Sequence, residues 1–176
     1  MIKYFPCLFV LLALISCAQT PRYLAGENTQ TIVSTYGMCR ITLPSEWIVL
    51  ETPDAGMTHA LNPIQQHYLS MSTQSIFHAY LHGMTSLKEY SRLRTWYVID
   101  HLEDVRLSRA FQTTISGMDA IQLEVEGISE DVPCAFLITA VEGVQHFHMI
   151  IVWAPLDVYR KSIDLFQEIT LTFEEL

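Results

Sequence analysis

The stretch VPCAFLITAVEGVQHFHMIIVW, residues 132–153, decides the fold. From Val132 to Val141 it is apolar at odd and even positions alike. Successive residues of a strand point to opposite faces, so a strand apolar on both is covered on both. Glu142-Gly143 reads as a tight turn, and Val144 to Trp153 returns as the second arm of a hairpin. Just before it, Met118 to Ile128 sets Ile121, Leu123 and Val125 against Gln122, Glu124 and Glu126, the pattern of an edge strand with one wet face. Arg106 to Ile115 joins this run through a turn at Ser116-Gly117.

Helical signals flank these strands. Pro155 suits a first helical turn, followed by the stripe Leu156, Tyr159, Ile163 and Phe166; Ile169, Leu171 and Phe173 then predict a short closing strand. Upstream, Ser86-Leu87-Lys88-Glu89 is a capping box opening a helix over 86–103. Its expected sheet-facing stripe is Leu87, Tyr90, Leu93 and Tyr97 with Trp96, Ile99 and Leu102, and its charge run is a solvated face. Before that, His67 to Phe77 alternates as a half-solvated strand, and Arg40–Leu43 and Glu46–Glu51 make two short strands broken at Pro44. The order predicts an α+β fold, a mostly antiparallel sheet with two main helices packed on it.

The N-terminus is an address. Lys3 precedes a short apolar run ending at Ile15, and Phe5 to Ile15 falls well short of the ~20 residues that span a bilayer. Residues 1–16 therefore read as a signal peptide. Leu14-Ile15-Ser16-Cys17 resembles the lipobox of bacterial lipoproteins. That resemblance implies lipidation of the Cys17 sulfur, cleavage after Ser16 and acylation of the new amino terminus, and more than one acyl chain anchors stably. Ala18 stands where an aspartate would favour inner-membrane retention, which favours the outer membrane, facing the periplasm. Residues 17–36 read as the lipidated N-terminus and a flexible tether, and 37–176 as one domain.

The whole 176-residue chain carries a net charge of −9 and a mean hydropathy of +0.24. Such an acidic surface argues against nucleic acid. Loss of Lys3 leaves 9 basic against 19 acidic residues. In an exported protein, Cys39 and Cys134 either pair as a disulfide or remain as two buried thiols.

Residues 37–176 resemble the PsbP/DcrB-like group, with its Mog1/PsbP fold. The resemblance rests on Arg40-Ile41-Thr42-Leu43-Pro44-Ser45-Glu46-Trp47, on the helix over 86–103, on Ser116-Gly117-Met118-Asp119-Ala120 and on the closing strand, helix and strand. It implies an exported α/β/α sandwich, often a lipoprotein or an accessory subunit, and transfers no binding residues.

No H-E-x-x-H, C-x-x-C, G-x-S-x-G or glycine-rich phosphate loop is present. His146 and His148 share a strand face, so they seed a Zn or Cu site if His78 and His82 or other ligands join them; otherwise they are hydrogen-bonded histidines at the core edge. Glu124 with Glu126, and Glu130 with Asp131, read as solvated carboxylates, and Trp47, Trp96, Trp153, Tyr90 and Tyr97 as core aromatics. The expected function is a non-enzymatic interaction or assembly-support module, bound to the membrane through its lipid and to an envelope protein partner, with no cofactor. The alternative is a periplasmic metal or small-ligand carrier using the His146/His148 face.

Overall fold

Residues 132–142 form the central strand that their apolar run predicts, with Ala135–Val141 buried throughout. The computed structural model describes Leu24, residues 28–50 and residues 56–176. In chain order the elements are β1 (Thr29–Val33), β2 (Cys39–Pro44), β3 (Ile48–Leu50), β4 (Met57–Asn62), β5 (His67–Ser75), α1 (Ile76–Leu81), α2 (Leu87–Ile99), β6 (Glu103–Leu107), β7 (Phe111–Ile115), β8 (Met118–Ser129), β9 (Val132–Glu142), β10 (His146–Pro155), α3 (Leu156–Leu171) and β11 (Glu174–Glu175). An eight-stranded antiparallel sheet runs β3-β4-β5-β10-β9-β8-β6, with β7 also paired to β8; a three-stranded sheet runs β1-β2-β11.

The large sheet is covered on both faces, giving the expected α+β sandwich. On one face Ala135, Leu137, Val141, Ile150 and Val152 pack with Phe166 and Ile169 of α3 and with Ile41 and Leu43 of β2. On the other, Phe136, Ile138, Ala140, Phe147 and Met149 pack with Ala79 of α1 and with Leu87 and Tyr90 of α2. Tyr90 stacks on Phe147 with ring centroids 4.8 Å apart.

Several elements differ from their sequence reading. The Thr/Gln-rich stretch assigned to the tether contains β1: Ile32 is buried, and residues 29–33 pair with 40–44. The strand predicted over 67–77 stops at Ser75, and Ile76–Leu81 coils as α1, leaving Phe77 on the surface. A third helix is thereby added. α2 ends at Ile99, and the single strand expected over 106–115 is two, β6 and β7, which follow one another along one edge of β8. That makes β8 an interior strand rather than an edge. α3 continues to Leu171, and the closing strand shrinks to Glu174–Glu175.

The α2 cap forms as a variant of its box. Ser86 Oγ accepts from the Glu89 N–H at 3.3 Å, while the Glu89 carboxylate accepts from Thr85 N–H and O–H, each at 2.7 Å. The face α2 buries is Leu87, Tyr90, Ser91 and Thr95. Trp96 and Tyr97 are 59% and 60% exposed, so they are not the core aromatics their spacing suggested.

Candidate functional site

β10 presents His146 and His148 on one face, as residues two apart on a strand must be. His148 is buried against Phe173, its ring centroid 5.0 Å away. Its Nε2 lies 3.2 Å from Glu175 Oε1 and its Nδ1 lies 3.1 Å from Thr73 Oγ1. Cys39 Sγ lies 3.7 Å from the same Thr73 hydroxyl. One assignment satisfies every group: Cys39 S–H donates to Thr73, Thr73 O–H to His148 Nδ1, and His148 Nε2–H to Glu175. His148 is then neutral. Burial pushes its pKa down, outweighing the upward pull of Glu175's hydrogen bond and charge.

Glu175 closes this cluster from the C-terminal strand. Its Oε2 accepts from the Val144 N–H at 2.7 Å, and its Oε1 lies 3.5 Å from His146 Nδ1. Burial alone would raise the pKa of this carboxyl; hydrogen bonds from Val144, His148 and His146 outweigh it and hold the group below the usual range. The carboxylate occupies the space between the two imidazoles that a shared cation would take. His78 and His82 do not join them: α1 packs on the opposite face of the sheet, where these two rings pair with each other at Nε2···Nε2 3.1 Å. Among the described residues no group of three or more His, Cys, Asp or Glu side chains is placed to hold a metal. The order hydroxyl, imidazole, carboxylate matches a hydrolase relay in sequence of groups, yet its hydroxyl belongs to Thr73 and its imidazole is sealed in the core.

Cys39 and Cys134 are both free. Cys39 belongs to the core on the α3 face of the large sheet and Cys134 packs against the core on the α2 face, where burial raises the pKa of its thiol. Cys17, the expected lipid site, lies outside the described residues. Glu124 and Glu126 sit on an interior strand and meet α3: Tyr159 O–H donates to Glu124 at 3.1 Å, and Arg160 reaches Glu126 at 3.4 Å. Burial beside these carboxylates drives the Tyr159 pKa up.

The feature sequence reasoning missed is a groove of about 830 Å³ between α2 and the β6–β7 connection. Its floor is Ile121 and Leu123 of β8, and its walls carry Trp96, Leu107 and Phe111, exposed by 59%, 53% and 48%. Lys88, Arg92 and Arg109 also line it, and none of the three is ion-paired to a described residue within 4.0 Å. Thr95 and Ser91 line it too, and the buried Thr95 hydroxyl has no hydrogen-bond partner. The signal was present in part: Lys88, Arg92 and Trp96 recur every four residues, one stripe of a helix that alternates cations with an indole.

Comparison with solved structures identifies the architecture. The solution structure of cyanobacterial PsbP (CyanoP) from Synechocystis sp. PCC 6803 superposes with a TM-score of 0.66 at 16% identity, covering 84% of this chain and 92% of that one. The chain has a PsbP-like fold. A Bacteroides thetaiotaomicron VPI-5482 protein matches with a TM-score of 0.58 at 13% identity, over 84% of this chain and 48% of that one. LpqN, involved in cell envelope biogenesis of Mycobacterium tuberculosis, matches with a TM-score of 0.51 at 13% identity, over 87% of this chain and 94% of that one. No family profile and no curated protein sequence matches the chain. At these identities the likeness is one of fold.

Proposed function

We propose that this PsbP-like chain is an exported, lipid-anchored module of the cell envelope that works without catalysis, by docking another envelope component in the α2 groove. The observation that carries the reading is the groove itself. Three large apolar side chains stand exposed beside three cations, on a chain whose formal charge is −9. Exposed apolar surface gathered in one concavity marks an interaction site rather than ordinary surface. The His146/His148 cluster, by contrast, is closed: each polar atom of His148 already has a partner.

Anchoring rests on Leu14-Ile15-Ser16-Cys17, and an outer-membrane, periplasm-facing position rests on Ala18. The naming of LpqN as a cell envelope biogenesis protein agrees with an envelope setting. Two experiments test the reading. Cys17→Ser is expected to release the full-length chain from membranes or to leave it uncleaved; unchanged retention and processing refute the anchor. A photo-crosslinking residue at Phe111 or Trp96 of the full-length chain, in the producing cells, is expected to trap one discrete adduct that is absent with the crosslinker at Lys161. Equal trapping at all three positions, or none at any, refutes the groove as the docking surface.

A further inference from the structure

The groove's construction restricts what fits in it. Its floor strand, β8, is hydrogen-bonded on both edges, to β9 on one side and to β6 and β7 on the other. Even the connection between β6 and β7 is tied down, with Ser108 N–H donating to the Glu124 carbonyl and Ser108 Oγ accepting from the Glu124 N–H. The floor therefore offers no free backbone edge for an added strand. An extended peptide laid over Ile121 and Leu123 would bury its own N–H and C=O groups against hydrocarbon, at high cost. A hydrocarbon chain brings no such groups. It matches the apolar floor and the Trp96, Leu107 and Phe111 walls.

The charges supply the other half of the specification. Lys88 and Arg92 stand on the α2 wall and Arg109 on the facing wall, and they are three of only 10 basic residues in the chain. A neutral guest would leave this concentration of cations unused; an anionic head among them gains charge-assisted hydrogen bonds. A volume of about 830 Å³ is ample for such a guest.

We propose that the groove between α2 and the β6–β7 connection binds a single-chain anionic amphiphile of the fatty-acid class, its chain over Ile121 and Leu123 and its carboxylate among Lys88, Arg92 and Arg109. This rests on the docking reading above and names the occupant.

The test uses the full-length chain mixed with phosphatidylcholine nanodiscs and a diazirine-bearing hexadecanoic acid, with labelled peptides mapped by mass spectrometry. Labelling is expected to concentrate within residues 88–123 and to be displaced by hexadecanoate but not by hexadecanol. Arg92→Gln with Arg109→Gln, both exposed side chains, should lower labelling at least about fivefold while leaving the melting temperature unchanged. Labelling spread along the chain, insensitive to the double variant, or displaced equally by hexadecanol overturns the proposal. Replacing part of the phosphatidylcholine with phosphatidylglycerol should leave labelling intact; its loss would assign the groove to a bilayer headgroup and overturn it as well. A discrete protein adduct at Phe111, with no fatty-acid labelling, sinks this proposal while the docking reading stands.

Discussion

Gly143→Ala tests whether the C-terminal carboxylate holds the β9–β10 turn in place. Gly143 does not lie at positive φ, so alanine is compatible with the backbone there. The obstacle is Glu175: a Cβ on residue 143 would stand 2.5 Å from its Cδ and 2.6 Å from its Oε2, well inside contact distance. The carboxylate ends a flexible side chain, so it swings away rather than the turn breaking. It then abandons the Val144 N–H at 2.7 Å and the His148 Nε2–H at 3.2 Å, and the imidazole is left with an unpaired donor in the core. Hydrogen bonds to charged groups are worth about 1.5–3 kcal/mol each, and an orphaned buried donor costs about 1–3 kcal/mol. The freed carboxylate recovers part of this in water, and alanine returns about 0.4–1 kcal/mol through the unfolded chain. A net loss of about 2 kcal/mol remains, or about 4–8 °C in Tm for a domain of this size. The assay is urea unfolding of Gly143→Ala, Glu175→Ala and the double variant. Once Glu175 is gone, alanine at 143 meets no carboxylate, so its cost should vanish or change sign, giving a coupling near 2 kcal/mol. An equal cost in both backgrounds refutes the reasoning.

Three further outcomes follow from particular groups. His67 and His148 have pKa values lowered by burial from 6.5, so the unfolded chain takes up protons first. Stability should be level from about pH 6.5 to about pH 8 and fall as pH drops below that range, with the contribution of Glu175 lost further down, below its ordinary 4.5. A denaturation profile that stays flat from neutrality to pH 5 contradicts this. Thr95→Val removes a buried hydroxyl that has no partner, so stability should hold or rise by up to about 1 kcal/mol; a loss larger than that in urea unfolding would show an unseen partner. Thiol alkylation in denaturant should label Cys39 and Cys134 equally with and without reductant, and a reductant-dependent mass shift at either residue contradicts their separation across the sheet.

What the sequence disclosed depended on whether the deciding contacts were local. Val132–Val141 announced a doubly covered strand because its own two faces are both apolar, and Ser86 with Glu89 announced a helix start within four residues. β1 stayed hidden because Thr29, Gln30 and Thr31 look like tether, and only pairing with 42–44 makes them a strand. Between Ser75 and Leu81, alternation gives way to Phe77, Tyr80 and Leu81 at helical spacing, too short a run for periodicity to separate strand from helix. The histidine pair was visible on β10, but the partner that explains it, Glu175, is 27 residues away in a two-residue strand. The groove needs residues from 88–99, 107–112 and 121–123 together, which no window contains.

The two faces of the large sheet are covered differently. On the α3 face, polar side chains are joined in chains, Cys39 with Thr73, His148 and Glu175, Gln122 with Thr139, and His67 with Ser162, while Trp47 Nε1 and His67 Nδ1 have no hydrogen-bond partner. On the α2 face the buried Thr95 hydroxyl has no hydrogen-bond partner, and burial lifts the Tyr90 pKa to about 12. There α2 turns Trp96 outward and stops at Ile99, leaving Ile121 and Leu123 of β8 as the floor of an open groove. Residues that close a core contribute to stability, whereas residues that line an unfilled concavity contribute little until it is filled. Variation at Arg92, Arg109 or Phe111 should therefore separate from stability, and variation at His148 or Glu175 should not. The proposed guest would fill the concavity that α2 and β8 leave open.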